Sequence, residues 1–299
     1  MQEGRPVQDS KEILKQVKKL EITTHGLTEG LLAGSYHSVF RGSGIEFSEI
    51  REYRPGDDIR AIDWKVTARF NRPFLKEFIE ERDLQVYFAV DVSASGNFGT
   101  ETSKKRKAIE LAASLMFAAL RSNDSIGLFL FTDQIEKFVP ARKGRKHVLK
   151  LLSILLSYAP KSRVTDLENS LGSIAKIVKR KSIIFLISDF YAEDFSKPLH
   201  ILKERHDLIA LRLLDPRELE IPDVGMIELE DEETGEQILV DSSDPGFRKR
   251  YQELVAEHED KLKTHFRKMK IDLVNVRSDE AYELPLKKFF ALRKRKQAR

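Results

Sequence analysis

The chain has 299 residues, 41% of them hydrophobic and 33% charged, the make-up of a well-solvated globular protein of one large or two small domains. It contains no cysteine, which excludes disulfides, thiolate metal sites and a cysteine nucleophile. Lys and Arg number 52 against 48 Asp and Glu, and part of this mild excess gathers in the final KKFFALRKRKQAR, residues 287–299, read here as a solvated helix end. The opening MQEGRPVQDSKEILKQ lacks the apolar core of a signal peptide. No apolar run approaches the ~20 residues needed to cross a bilayer. The expectation is a cytoplasmic protein without a membrane span.

In chain order, residues 9–33 suggest a helix with Ile13, Leu14, Val17 and Leu20 on one face. Residues 34–82 are dense in glycine, arginine and carboxylates, with a turn at Arg54-Pro55-Gly56-Asp57, and predict hairpin-like strands. From residue 84 the pattern becomes α/β. Buried strands are predicted at 84–91, 125–133, 182–189 and 207–215, an edge strand at 134–139, and helices at 104–121, 146–158, 167–179 and 195–205. MIELEDEETGEQILV, residues 226–240, predicts a hairpin turning at Glu233-Thr234-Gly235 and interrupting the alternation. A helix at 244–268, a strand at 271–276 and a helix from about Glu280 complete the pattern. The fold class expected is α/β, a doubly wound, mostly parallel sheet. The organisation expected is an N-terminal helical segment (1–33), a β-rich segment packed on the main domain (34–82) and an α/β domain (83–299) with a hairpin insertion at about 226–240.

Ligands of such sheets sit beyond the carboxyl ends of the strands. Three polar groups fall there: Asp91-Val92-Ser93-Ala94-Ser95 after the first buried strand, Ser188-Asp189 after the third, and Thr165-Asp166 before the helix leading into it. Each has a plain reading, as a strand-end turn, a loop start or a threonine near a helix cap. Their order and placement together favour a site. Hydroxyls of Ser93, Ser95 and Thr165 are compact enough to bind magnesium directly, with Asp91 and Asp189 acting through water or orienting the hydroxyls. A cation held with so little direct negative charge stays electrophilic and can accept a partner's carboxylate.

DVSAS, the Thr-Asp of VTDL and the Ser-Asp of LISDF resemble the metal-ion-dependent adhesion site of von Willebrand factor A domains. The R-x-Y-x-P-G-D-D-x-R-x-I-D-W string over residues 51–64, followed by that site, resembles the more specific bacterial family of A-domain-like proteins catalogued as domain of unknown function fifty-eight. The resemblance covers roughly residues 34–240 and implies a von Willebrand A or Rossmann-like fold. It implies metal contacts, to Mg2+ or Mn2+, at Asp91, Ser93, Ser95, Thr165 and Asp189. It also implies a MoxR-type AAA+ ATPase as partner, in chaperone-like assembly or activation of a further protein client, with an acidic residue of the partner at the metal. Many relatives carry methionine where this chain has Gly96, a position that is not a ligand. Many also carry membrane spans ahead of the signature, and their absence here suggests a soluble form.

Three further readings concern charge and aromatic residues. Arg51, Arg54, Arg60 and Arg69 alternate with Glu46, Glu49, Glu52, Asp57, Asp58 and Asp63, which suggests an ion-pair lattice pinning this segment in place. Trp64, the only tryptophan, reads as a core anchor for the segment. Lys104-Lys105-Arg106-Lys107 at a helix start suggests a basic rim that attracts an acidic partner. The alternative function is a metal-dependent phosphohydrolase of haloacid-dehalogenase-like type, but its second carboxylate two residues after Asp91 is replaced by Ser93. No phosphate-binding G-x-x-x-x-G-K-[ST] string or G-x-S-x-G elbow occurs, so no enzyme activity is expected. Nucleic-acid binding through the tail has thin support, with only Phe289 and Phe290 interleaved among its cations.

Overall fold

The computed structural model describes residues 10–27, 33–40, 46–79, 84–94, 104–192, 194–230 and 233–297. The chain divides into two units, residues 40–84 and residues 1–39 with 85–299. It opens with two helices, α1 (Ser10–Leu27) and α2 (Ala33–Val39). On α1, Val17 is buried and Leu14 is exposed. Glu21 of the same helix accepts a two-pronged bond from Arg145, both prongs at 2.8 Å.

The 40–84 unit is built around an antiparallel pair, β1 (Glu46–Glu52) and β2 (Phe74–Ile79). The expected turn is present: Asp57 N–H donates to the Arg54 carbonyl at 3.0 Å, and Gly56 adopts φ 107°, a region glycine enters without Cβ strain. Asp57 accepts from Arg54 N–H at 2.8 Å and from both Arg51 guanidinium prongs at 2.8 and 3.0 Å. The Arg51 bond holds the Asp57 carboxyl down at about 2. Asp58 accepts from Arg60 N–H at 2.9 Å and starts a 3-10 turn, Ile59–Ala61. Asp63 accepts from the Lys65 and Val66 amides at 2.9 and 3.3 Å and starts α3 (Trp64–Phe70). Hairpin strands therefore form as expected, with a short helix between them.

Two expectations for this segment are corrected. Asp57, Asp58 and Asp63 accept backbone N–H bonds and Arg51–Asp57 and Arg72–Glu52 are ion pairs, while Arg54, Arg60 and Arg69 lie on the surface. The side chains of Glu46 and Glu49 lie outside the described residues. Trp64 is no core anchor: it is the first residue of α3 and is 69% exposed.

The larger unit continues through β3 (Gln85–Asp91), α4 (Lys104–Arg121), β4 (Ser125–Phe131), β5 (Ile135–Arg142), α5 (Arg145–Ser157), α6 (Leu167–Ile177), β6 (Ile183–Ser188), α7 (Ser196–Arg205) and β7 (Asp207–Leu214). It closes with α8 (Pro216–Leu219), β8 (Met226–Glu230), β9 (Gln237–Asp241), α9 (Pro245–Lys268), β10 (Asp272–Arg277) and α10 (Glu283–Gln297). Six strands form one sheet in the order β10-β7-β6-β3-β4-β5, parallel except for β5. This is the expected mixed α/β architecture with a mostly parallel sheet. β8 and β9 form a separate antiparallel hairpin.

Both faces of the sheet are covered, which is why the inner strands read as unbroken apolar runs. Tyr87, Ala89, Phe129, Phe131, Ile184 and Leu186 pack with α6, α7 and α9. The other face meets α4, α5 and α10, and α1 and α2 lie over α4 in turn. α4 is therefore enclosed from two sides, and thirteen of its residues are buried, Lys104 and Lys107 among them. Among the described residues, no helix is long and apolar enough to cross a membrane.

Candidate metal centre

β3 has β4 on one side and β6 on the other. The chain winds outward in both directions from this point, so the crevice at the carboxyl ends of β3 and β6 is the switch point where α/β sheets bind ligands. Asp91 ends β3 and Ser188-Asp189 ends β6. Ser188 Oγ donates to Asp91 Oδ2 at 2.8 Å, and Ser93 N–H donates to Asp91 Oδ1 at 3.1 Å. Phe190 N–H donates back to Ser188 Oγ at 3.0 Å, which fixes the hydroxyl. Burial, and then the neighbouring charge of Asp189, push the Asp91 carboxyl up to about 7 against the bonds from Ser93 and Ser188.

Thr165 arrives by a different route. Ala94 N–H donates to the Arg163 carbonyl at 3.0 Å, and Asp166 N–H to the Thr132 carbonyl at 3.4 Å. Glu136 accepts from the Lys161 and Ser162 amides, both at 3.1 Å, and so holds the approach to this loop. The backbone beside Thr165 is thus joined to the backbone beside Ser93. Thr165's hydroxyl, however, donates to Glu233 of the β8–β9 connection, with Oγ1 at 2.7 Å from Oε1. Of the five residues predicted as metal contacts, Asp91, Ser93 and Asp189 share one crevice, Thr165 sits on the adjoining loop, and Ser95 lies outside the described residues.

The structure adds residues that sequence reasoning missed. Lys104 Nζ donates to Asp189 Oδ2 at 2.8 Å and to Glu218 Oε1 at 2.6 Å, with 1% of its side chain exposed. Burial disfavours this ammonium, but Asp189 and Glu218 more than offset it and raise its pKa. Burial likewise raises Glu218, and Lys104 opposes that shift. Lys107 turns inward too, donating to the Glu280 carbonyl at 2.9 Å. The basic rim expected at 104–107 is therefore corrected: two of its four cations are interior groups. Arg212, fully buried, donates from Nε to the Asp189 carbonyl at 3.0 Å and pairs with Glu259.

The donor set fits a hard divalent cation. Asp91, Asp189, Glu218 and Glu259 are linked to Lys104, Arg212 and, through Glu259, Lys263, while Asp91 is held by donors from Ser93 and Ser188. A positive ion beside Asp91 would offset the cost of ionising it in the interior. Among the described residues no three His, Asp or Glu side chains converge in ligating array, and hydroxyls would share the coordination of any bound ion.

A family model described as "Protein of unknown function DUF58" matches residues 49–261, most of the chain and both halves of the crevice. The chain belongs to the DUF58 family. The uncharacterized protein Rv1480 of Mycobacterium tuberculosis is 32% identical over 291 residues, covering 96% of this DUF58 chain and 92% of its own. The uncharacterized protein YeaD of Bacillus subtilis is 28% identical over 110 residues, 36% of this chain and 26% of that protein. The crystal structure of the conserved hypothetical protein BatB from Bacteroides thetaiotaomicron overlays with a TM-score of 0.45 at 16% identity, covering 72% of this chain and 98% of that one.

Proposed function

We propose that this DUF58 protein is a von Willebrand factor A-like module that binds other proteins through a divalent cation, Mg2+ or Mn2+, and is not an enzyme. Asp91, Ser93, Ser95, Thr165 and Asp189 hold the ion, with Ser188 orienting Asp91. The observation that carries this reading is the meeting of Asp91, Ser93 and Ser188 with Asp189 at the β3–β6 switch point. When bound, the ion supplies a positive centre able to accept a carboxylate. The chain's own groups then perform three tasks. Ser188 and the Ser93 amide fix the Asp91 carboxylate, Lys104 holds Asp189 from behind, and the bond from Ala94 to Arg163 keeps the Thr165 loop alongside.

The partner assignment, a MoxR-type AAA+ ATPase acting with this chain in chaperone-like assembly or activation of a further protein, rests on the signature over residues 51–64. A phosphohydrolase is disfavoured because Ser93 stands where that chemistry needs its general acid. The test is capture of partners from the native cell with and without magnesium, using wild type, Ser93→Ala and Asp189→Ala. One AAA+ ATPase band that needs magnesium and disappears in both variants supports the proposal. Magnesium-independent capture by all three chains sinks it. Phosphatase turnover by wild type that is lost in Asp91→Asn establishes the other reading.

A further inference from the structure

Thr165 directs two donors at one side chain. Its N–H reaches Glu233 Oε2 at 3.1 Å and its hydroxyl reaches Glu233 Oε1 at 2.7 Å. Glu233 lies in the connection between β8 and β9, strands that pair only with each other in the described sheets. The hairpin is closed at its base by its own bonds, Ser242 N–H and Oγ donating to the Gly225 carbonyl at 2.8 and 2.7 Å. Its apolar residues bury it only in part: Ile227, Leu229 and Val240 are half-buried, while Met226, Ile238 and Leu239 are 60%, 58% and 68% exposed. A carboxylate from the hairpin connection is held at the hydroxyl of one proposed metal contact.

We propose that Glu233 is a carboxylate ligand supplied in cis to the cation site, occupying the place that an acidic side chain of the partner takes in the complex. This rests on the cation reading above. A tethered group competes at an effective concentration on the order of mM. A lone external carboxylate that binds more weakly than this is excluded while Glu233 is in place. The partner class that fits is a protein presenting an Asp or Glu on an exposed loop, together with contacts outside the ion that Glu233 cannot match. Displacing Glu233 frees the β8–β9 turn, so binding of the partner and release of the hairpin become one event.

The experiment uses the full chain, Mn2+ as the metal and acetate as the free carboxylate. Mn2+ affinity is followed by electron paramagnetic resonance, and the number of waters on bound Mn2+ by water-proton relaxation, in wild type, Glu233→Gln, Glu233→Ala and Ser93→Ala. Far-UV circular dichroism checks that each variant is folded. Loss of the signal in Ser93→Ala assigns the bound ion to this site. Both Glu233 variants should bind Mn2+ roughly ten- to hundredfold more weakly, the scale seen when a supporting ligand is removed. They should also give higher water relaxation that acetate lowers, whereas wild type ignores acetate. Equal affinity and equal relaxation in wild type and both Glu233 variants would overturn the proposal and leave the cation site standing. No Mn2+ binding by wild type would remove the cation site, and this proposal with it.

Discussion

Lys104→Met isolates the contribution of the buried ammonium behind the crevice. The substitution keeps the length and apolar stem of the side chain and deletes one charge. Asp189, 6% exposed, and Glu218, 17% exposed, then lose a partner at 2.8 and 2.6 Å. Removing one member of a buried ion pair costs about 3–5 kcal/mol, chiefly because an uncompensated charge stays in the interior. For a unit of this size, each kcal/mol lowers the melting temperature by about 2–4 °C, so the expected fall is on the order of 10 °C. Urea unfolding followed by far-UV circular dichroism measures the free-energy loss, and thermal unfolding by the same signal measures the fall in melting temperature. Trp64 fluorescence is the wrong probe, since the only tryptophan lies in the 40–84 unit. The double variant Lys104→Met/Asp189→Asn should recover about 1–3 kcal/mol of the loss, the coupling expected of contacting groups. Magnesium should stabilise Lys104→Met more than wild type. A loss under about 1 kcal/mol for the single variant would refute the reasoning, because it would place Lys104 in water.

Other substitutions test the frame around the site. A Cβ at Gly127 of β4 would lie 2.4 Å from Tyr87 Cε1 and 3.0 Å from the Ala141 nitrogen, so Gly127→Ala should cost about 1–3 kcal/mol by urea titration, with loss of the near-ultraviolet tyrosine signal. Asp63→Ala removes the cap of α3 and should cost the 40–84 unit about 1 kcal/mol, read as faster hydrogen exchange at the Lys65 and Val66 amides, with Asp63→Asn retaining most of the protection. Burial, and then the charge of Arg205, hold the His206 ring below its ordinary range, so the folded state keeps it neutral. Its contribution is present above the ordinary histidine value of 6.5 and is lost as pH falls through the lowered one. His206→Gln should flatten the decline in unfolding free energy between pH 7.5 and 5; an unchanged slope removes His206 as its source.

Much of the frame was legible because each inner strand is buried on both faces and so cannot alternate. Val86–Val90 and Ile183–Ile187 announce themselves as apolar runs, and the helical stripe of 104–121 marks α4 to the residue. The placement of Asp91 and Ser188-Asp189 followed from strand polarity alone. WKVTARF was illegible as a helix because it has no apolar stripe, and Asp63 starts it from outside. AGSYHSV was illegible because its helix depends on Tyr36 entering the interior, where its hydroxyl donates to Asp124 at 3.0 Å. The inward turn of Lys104 had no local signal either. Its partners lie 85 and 114 positions away, at the end of β6 and in α8. Glu233 was read only as part of a hairpin turn, since nothing near it names Thr165.

The seat of α2 bears on biosynthesis. Tyr36 meets Phe290 edge-on, with ring centroids 6.3 Å apart, and α2 packs on α4 and α10. A helix made among the first turns of the chain thus has no complete surface to dock on until α10 has left the ribosome. Closure joins distant segments and must come late, as contacts of high sequence separation do. Until then Tyr36, Val39 and the apolar side of α4 stay wet, and a chain stalled before α10 displays them to any holdase or protease nearby.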